Sequence, residues 1–146
     1  MKIQQVSVFL ENKPGALRQP CQLLAEAGID IRTLTLADTR SFGILRMIVS
    51  DWQGAERLLR DSGYVTNITE VVAVEVPDRP GGLDEILSIL QDSGVNIEYM
   101  YAFTSGREGK AVLIFRFDHP DRAIVLLQAD GINVVESVEV YNRITT

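Results

Sequence analysis

The chain contains one cysteine, one histidine and one tryptophan in 146 residues. A lone Cys21 excludes an intramolecular disulfide and any multi-cysteine metal site. With His119 the single histidine, neither a histidine metal cluster nor a Cys–His nucleophile pair has the side chains it needs. No metal and no cofactor is therefore expected. No apolar run approaches the roughly 20 residues of a membrane span. The opening stretch MKIQQVSVFLENKPG is too briefly apolar, and lacks the small-residue cleavage site, for a secretory signal. A cytoplasmic location is expected. Basic residues are scarce too: Lys+Arg number 14 against 20 Asp+Glu, a net charge of −6. No basic stripe exists, so neither nucleic acid nor an anionic membrane surface is an expected partner.

Enough remains for a folded protein. Hydrophobic residues make up 46%, charged residues 23% and aromatics 7%, which argues against disorder. The length allows one ordinary domain or two very small ones. The charge is uneven. Residues 1–70 carry 8 basic and 8 acidic side chains, and residues 71–146 carry 6 and 12, so the second half holds the whole excess.

An internal repeat organises the chain. At an offset of 66, Pro14-Gly15-Ala16-Leu17 falls on Pro80-Gly81-Gly82-Leu83, Leu24 on Leu90, Gly28 on Gly94 and Ile31 on Ile97. The 18-residue window from Pro14 to Ile31 holds six identities. Past Gly109 the offset is 68, matching Ala55 with Ala123, Leu58 with Leu126 and Gly63 with Gly131. Two residues have been added near Ser105-Gly106-Arg107-Glu108, at a hairpin, where a preserved core tolerates insertion.

Each copy has the same grammar. In the first, Ile3 to Leu10 alternates as a strand, and Leu17, Leu23, Leu24 and Ala27 recur at helical spacing until Gly28. Ile29–Leu36 and Ile44–Val49 read as strands around a turn at 38–43. Ala55, Leu58 and Leu59 mark a second helix with Asp51 as its N-cap, and Val65 onward is extended. The second copy repeats this with a strand at 71–76, helix 81–92, strands 95–104 and 111–117, helix 120–129 and strand 132–141. The expected domains are 1–70 and 71–146. The order β-α-β-β-α-β is the split βαβ, ferredoxin-like pattern: α+β, with antiparallel sheets carrying their helices on one face. Two points strain it. Pro20 falls inside the first helix, where it removes a hydrogen bond. The last strand of one copy overlaps the first of the next, so Val65–Val76 reads as one long strand or two joined by a bend near Thr69-Glu70.

The strongest chemical signal is the strand–loop–helix junction, ENKPGAL in copy one and PDRPGGL in copy two. Proline suits a helix start, and glycine lets another group approach the backbone. The first helical amides lack internal partners and, with the helix dipole, suit a carboxylate or phosphate. Asn12 and Asp78 precede the helix at matching positions, placed to cap it or to hold a ligand. A well-capped helix start is the plainer reading of such a loop taken alone. Tyr99, Tyr101 and Phe103 alternate and so share one sheet face, as core, interface or ligand wall. Arg46 and Arg116 lie on strands near the sheet centre, placed, in order of preference, to reach the surface, to form ion pairs or to bind a carboxylate. Asp84 and Glu85 are adjacent on a helix and diverge, so they make no acid/base dyad.

The element order, the repeat and a strand ending in (N/D)-(K/R)-P-G-x-L together resemble the ACT domain, a small amino-acid-binding regulatory module. The resemblance spans essentially the whole chain as two tandem copies, and the segments 38–46 and 97–103 look like the stand-alone tandem-ACT group. It implies a non-catalytic protein that binds a small ligand, an amino acid, at the interface between paired ACT domains. Carried onto this sequence, it implies binding by Asn12, Pro14, Gly15, Ala16 and Leu17 in copy one, and by Asp78, Pro80, Gly81, Gly82 and Leu83 in copy two. Facing these would be Thr33, Thr35, Ala37 and Asp38, or Tyr99, Tyr101 and Phe103. The free amides at Gly15-Ala16-Leu17 would take the carboxylate, and Asp38 or Asp78 the ammonium. Copy one, lacking the acids Asp84 and Glu85, is the better carboxylate acceptor. A metabolic enzyme is the partner class such a module would regulate, and side-by-side pairing into a homodimer is the favoured assembly. The main alternative is an interaction module that regulates a partner enzyme without an amino acid. RNA binding through the sheet fits poorly with the acidic balance.

Overall fold

The computed structural model describes residues 1–142, with the backbone alone for 104–107 and 142. The element order is β1 (Lys2–Glu11), α1 (Arg18–Glu26), β2 (Ile31–Asp38), β3 (Phe42–Val49), α2 (Trp52–Asp61), β4 (Val65–Pro77), α3 (Gly82–Leu90), β5 (Ile97–Arg107), β6 (Lys110–Phe117), α4 (Pro120–Ala129) and α5 (Ser137–Asn142). The chain divides into two compact units: Gln4–Thr69, and Glu70–Thr146 together with Met1–Ile3. Residues 143–146, the end of the expected second copy, lie outside the described residues.

The amino-terminal unit carries strands in the order β2-β3-β1-β4. β1 and β2 both run antiparallel to β3, so Val8 faces Leu45 and Leu36 faces Leu45 from the other side. One row of each strand turns toward the helices. Val6, Val8 and Leu10 of β1 and Leu45, Met47 and Val49 of β3 form a core with Leu24 of α1 and Ala55 and Leu59 of α2. The opposite row of β1 holds buried Gln5 and Ser7, and the Gln5 amide donates to the Ser7 hydroxyl at 3.2 Å.

The carboxy-terminal unit has the order β4-β6-β5. Its core repeats the first at the sequence offsets. Val72, Val74 and Val76 stand where Val6, Val8 and Leu10 stand, Leu90 matches Leu24, and Phe115, Phe117, Ala123 and Leu127 match Met47, Val49, Ala55 and Leu59. Each buried side chain of this size contributes about 1.5–3 kcal/mol. The paired equivalents explain why a weakly similar sequence keeps one fold. The two extra residues fall where β5 and β6 lose register, between Phe103 and Arg107. The fold is α+β, a tandem pair of ferredoxin-like copies with antiparallel strands, the first complete as βαββαβ and the second ending in a bridge and a helix.

Both strained points resolve. α1 begins at Arg18, so Pro20 lies in its first turn, where no backbone N–H has an intrahelical acceptor to lose. Val65–Pro77 is a single strand of 13 residues. One expectation fails. Residues 132–141 form a single bridge, Val134 to Val74, followed by α5. In a strand Val138 and Val140 would share a face. In α5 they diverge, and Val140 is 1% exposed against 67% for Val138. The first turn of that helix is formed by the Val140 N–H donating to the Glu136 carbonyl at 3.1 Å.

Asp51 caps α2 as expected, accepting from the Gly54 N–H at 3.0 Å. At the equivalent start of α4, His119 makes no side-chain cap, and Pro120 occupies the first turn. Leu59→Ala and Leu127→Ala each delete a fully buried side chain at matched positions. Each is expected to cost about 2–5 kcal/mol in urea unfolding, and a loss below 1 kcal/mol at either site would contradict the paired cores.

Candidate ligand-binding loops

Loop one, residues 12–17, joins β1 to α1. The Asn12 N–H donates to the Ser41 carbonyl at 2.9 Å, tying the loop to the β2–β3 hairpin. The Lys13 N–H donates to Glu11 at 3.0 Å, and the Ala16 N–H donates to Lys13 at 3.2 Å. Loop two, residues 78–81, repeats all three bonds. Asp78 donates to Gly109 at 2.9 Å, Arg79 to Pro77 at 3.0 Å and Gly82 to Arg79 at 3.0 Å. The loops therefore share a hydrogen-bond frame as well as a motif.

Gly15 and Gly81 both adopt φ +84°, which any side chain would strain. Open space lies where a Cβ would stand at either position. Gly82 has the opposite problem: a Cβ there would collide with the Pro77 carbonyl oxygen. Ala16, its counterpart, precedes a helix that starts later, at Arg18 rather than at the Gly82-equivalent position.

The expected free amides need correction at one residue. Ala16 is committed to Lys13, whereas Gly15 and Leu17 have no backbone acceptor among the described residues. Nor do Asn12 and Asp78 cap their helices. The N-cap residues are Leu17 and Gly81, without side-chain bonds, because the loop turn carries Asn12 and Asp78 away from the helix start. The Asn12 amide instead donates to the Thr39 carbonyl at 3.5 Å.

The β2–β3 hairpin brings Asp38, paired with Gly43, to the same end of the unit as loop one. Thr33, Thr35 and Ala37 pair with Ile48, Arg46 and Ile44, and so lie on the sheet face turned away from the helices. In the carboxy-terminal unit, Tyr99, Tyr101 and Phe103 share the corresponding face, opposite Arg116, Ile114 and Val112. Tyr99 and Tyr101 are not gathered with Asp78, Gly81, Gly82 and Leu83 inside that unit, whereas Phe103 pairs with Val112, nearer that end. Loop two leaves β4 beyond the Pro77–Lys110 pair, and Tyr101 pairs with Ile114, four residues further along β6, or about 14 Å at the strand rise. Arg116 is engaged, donating to the Glu70 carbonyl at 3.0 Å and standing 3.8 Å from the Glu98 carboxylate.

Reading the sequence missed a cleft of about 300 Å³ in the amino-terminal unit, between loop one and the Gly63-Tyr64-Val65 turn. Its wall includes Phe9, Ala16, Tyr64 and Val65, with Glu11 and Lys13 at the rim. The Glu11 and Lys13 side chains pair at 2.8 Å. Lys13 holds the Glu11 carboxyl below its ordinary range, and Glu11 raises the Lys13 ammonium. Burial pushes the Tyr64 phenol up, which keeps it neutral. The missing signal was available: Lys13 and Gln19 match Arg79 and Glu85, a difference in charge between otherwise matched loops.

Little else offers chemistry. Burial pushes the Cys21 thiol up, away from the thiolate a nucleophile needs. Among the described residues, no three of His, Cys, Asp and Glu gather as metal ligands, and no helix is long and apolar enough to cross a membrane.

Two ferredoxin-like copies with matched loops at the first helix of each define a class of small regulatory module. The chain belongs to the ACT domain pair family, whose model matches residues 1–144. It is similar to the solved protein BT0572 from Bacteroides thetaiotaomicron, at 37% identity over 97% of both chains and a TM-score of 0.90. It also shares its fold with the ligand-free regulatory subunit of aspartate kinase from Thermus thermophilus, at 19% identity, TM-score 0.63, over 86% of this chain and 91% of that one. The regulatory subunit from Thermus flavus matches at 17% identity, TM-score 0.60, over 86% and 90%. No curated protein matches the chain.

Gly82→Ala should destabilise the carboxy-terminal unit by about 1–3 kcal/mol through overpacking. The converse Ala16→Gly should change the amino-terminal unit by less, and equal losses in thermal unfolding would refute the asymmetry.

Proposed function

We propose that this is a non-catalytic regulatory protein that binds a small ligand, an amino acid, where ACT domains pair. Its working units are the copies at 1–70 and 71–146. The observation that carries the reading is the contrast between the two loops. Both present a φ +84° glycine with open space above it. The first turn of α3 holds Asp84 and Glu85, whereas the first turn of α1 is free of acids. A helix N-terminus attracts a carboxylate, and acids beside it repel one. The Gly15 and Leu17 amides take the ligand carboxylate in this reading, with Asn12, Pro14 and Ala16 shaping the loop around it. Asp38 or Asp78 offers a carboxylate to the ammonium. Gly81, Gly82, Leu83, Tyr99 and Tyr101 supply the wall of the paired domain. A ligand that binds one arrangement of the paired domains better than another shifts the population between them.

The edge strand β2 supports pairing of chains into a homodimer, since Leu34 and Leu36 are 43% and 50% exposed. A cytoplasmic metabolic enzyme is the partner to be regulated, in keeping with neighbours named as regulatory subunits of aspartate kinase. Those same names favour the second reading, an interaction module that acts on an enzyme without an amino acid.

A thermal-shift screen against the twenty amino acids separates the readings. A ligand at 100 times its dissociation constant adds about 2.7 kcal/mol, a rise of several degrees for domains of this size. Gly15→Leu should abolish that rise while leaving a folded protein, and no rise with any amino acid would favour the interaction module. Size exclusion with light scattering should give a dimer mass, and a strict monomer would defeat the assembly.

A further inference from the structure

The duplicated fold supplies its own control for the cleft beside loop one. In copy two, Arg79 and Glu85 occupy the positions of Lys13 and Gln19, and they join at 2.7 Å across the loop and the first turn of α3. Glu75 stands at the Phe9 position and faces Lys110 at 3.6 Å, while Asn133 stands at the Val65 position. Copy two thus turns two wall positions polar, keeps apolar Ile132 at the Tyr64 position, and bridges the mouth with an ion pair. In copy one, Lys13 turns back along the chain to Glu11, and the cleft stays open at about 300 Å³, at the small end for ligand pockets. The Glu11 and Lys13 side chains are 64% and 63% exposed. An ion pair so exposed is worth little and opens readily. Two opposite charges beside an apolar wall complement a molecule with two opposite charges beside an apolar body.

We infer that this cleft, inside the amino-terminal unit alone, receives a small zwitterion with an apolar side group. Its carboxylate meets Lys13 and the Gln19 amide, its ammonium meets Glu11, and its side group lies against Phe9, Ala16 and Val65. The inference rests on the proposed reading that an amino acid binds at loop one. It moves the carboxylate from the loop amides to the Lys13 and Gln19 side chains, the ammonium from Asp38 or Asp78 to Glu11, and the site from the pairing of domains into one unit, with one ligand per chain.

The test is calorimetric titration of the full chain with L-leucine, L-valine and L-phenylalanine. The leucine analogues 4-methylpentanoate, which lacks the ammonium, and isoamylamine, which lacks the carboxylate, form further arms. At least one of the three amino acids should bind once per chain. Lys13→Ala and Glu11→Gln should each weaken that binding at least tenfold, and each single-charge analogue should bind at least tenfold more weakly than leucine. Arg79→Ala should leave affinity and stoichiometry unchanged. Binding unaltered by either the Lys13 or the Glu11 variant, or two ligands per chain, would overturn the inference while leaving amino-acid binding intact. Failure of all twenty amino acids to bind would remove the proposed reading, and the inference with it.

Discussion

The burial of one aliphatic row on the first strand of each copy is the constraint on which the other features depend. Val6, Val8 and Leu10 in one copy, and Val72, Val74 and Val76 in the other, turn the same way and are at most 5% exposed. A strand has period two, so burying that row also fixes which face receives the helices. The helices then seat Leu24 and Leu90 against the row. Because each helix is held from below, the loop that enters it has a defined exit point and a defined entry point. The three shared backbone bonds follow from that closure.

Within this common frame the copies have diverged at the loop rim. Copy one places Lys13 and Gln19 where copy two places Arg79 and Glu85, and only in copy two do those positions join each other. Backbone geometry is common to both; side-chain charge is not. The two loops are thus alike in shape and unlike in what they would attract, which fits the confinement of the net charge of −6 to the second half of the chain.

Much of the fold was legible because it rests on periodicity. The valine rows, the helical spacing of Leu23 and Leu24, and the Asp51 cap are local signals, and each is present in the structure. The start of α1 is not legible from spacing alone. Leu17 has helical spacing from Leu24, yet the Lys13–Ala16 turn delays the helix to Arg18. Residues 132–141 misled for a related reason: alternating valines satisfy a strand pattern, and burial, which alternation cannot report, selected Val140 over Val138.

The sequence by itself determined the duplication, the element order and the motif at each loop, because these are written in spacing that one chain can compare with itself. Tertiary structure alone decided which amides are committed, that Asn12 and Asp78 do not cap, and that a cleft opens beside Lys13. Those outcomes depend on groups distant in sequence, such as Ser41 against Asn12 and Tyr64 against Ala16, brought together by strand register and helix seating. The lack of cysteine, histidine and basic clusters had removed several chemistries from the start. What it left open, a cleft lined by ordinary side chains, becomes visible when the chain has folded.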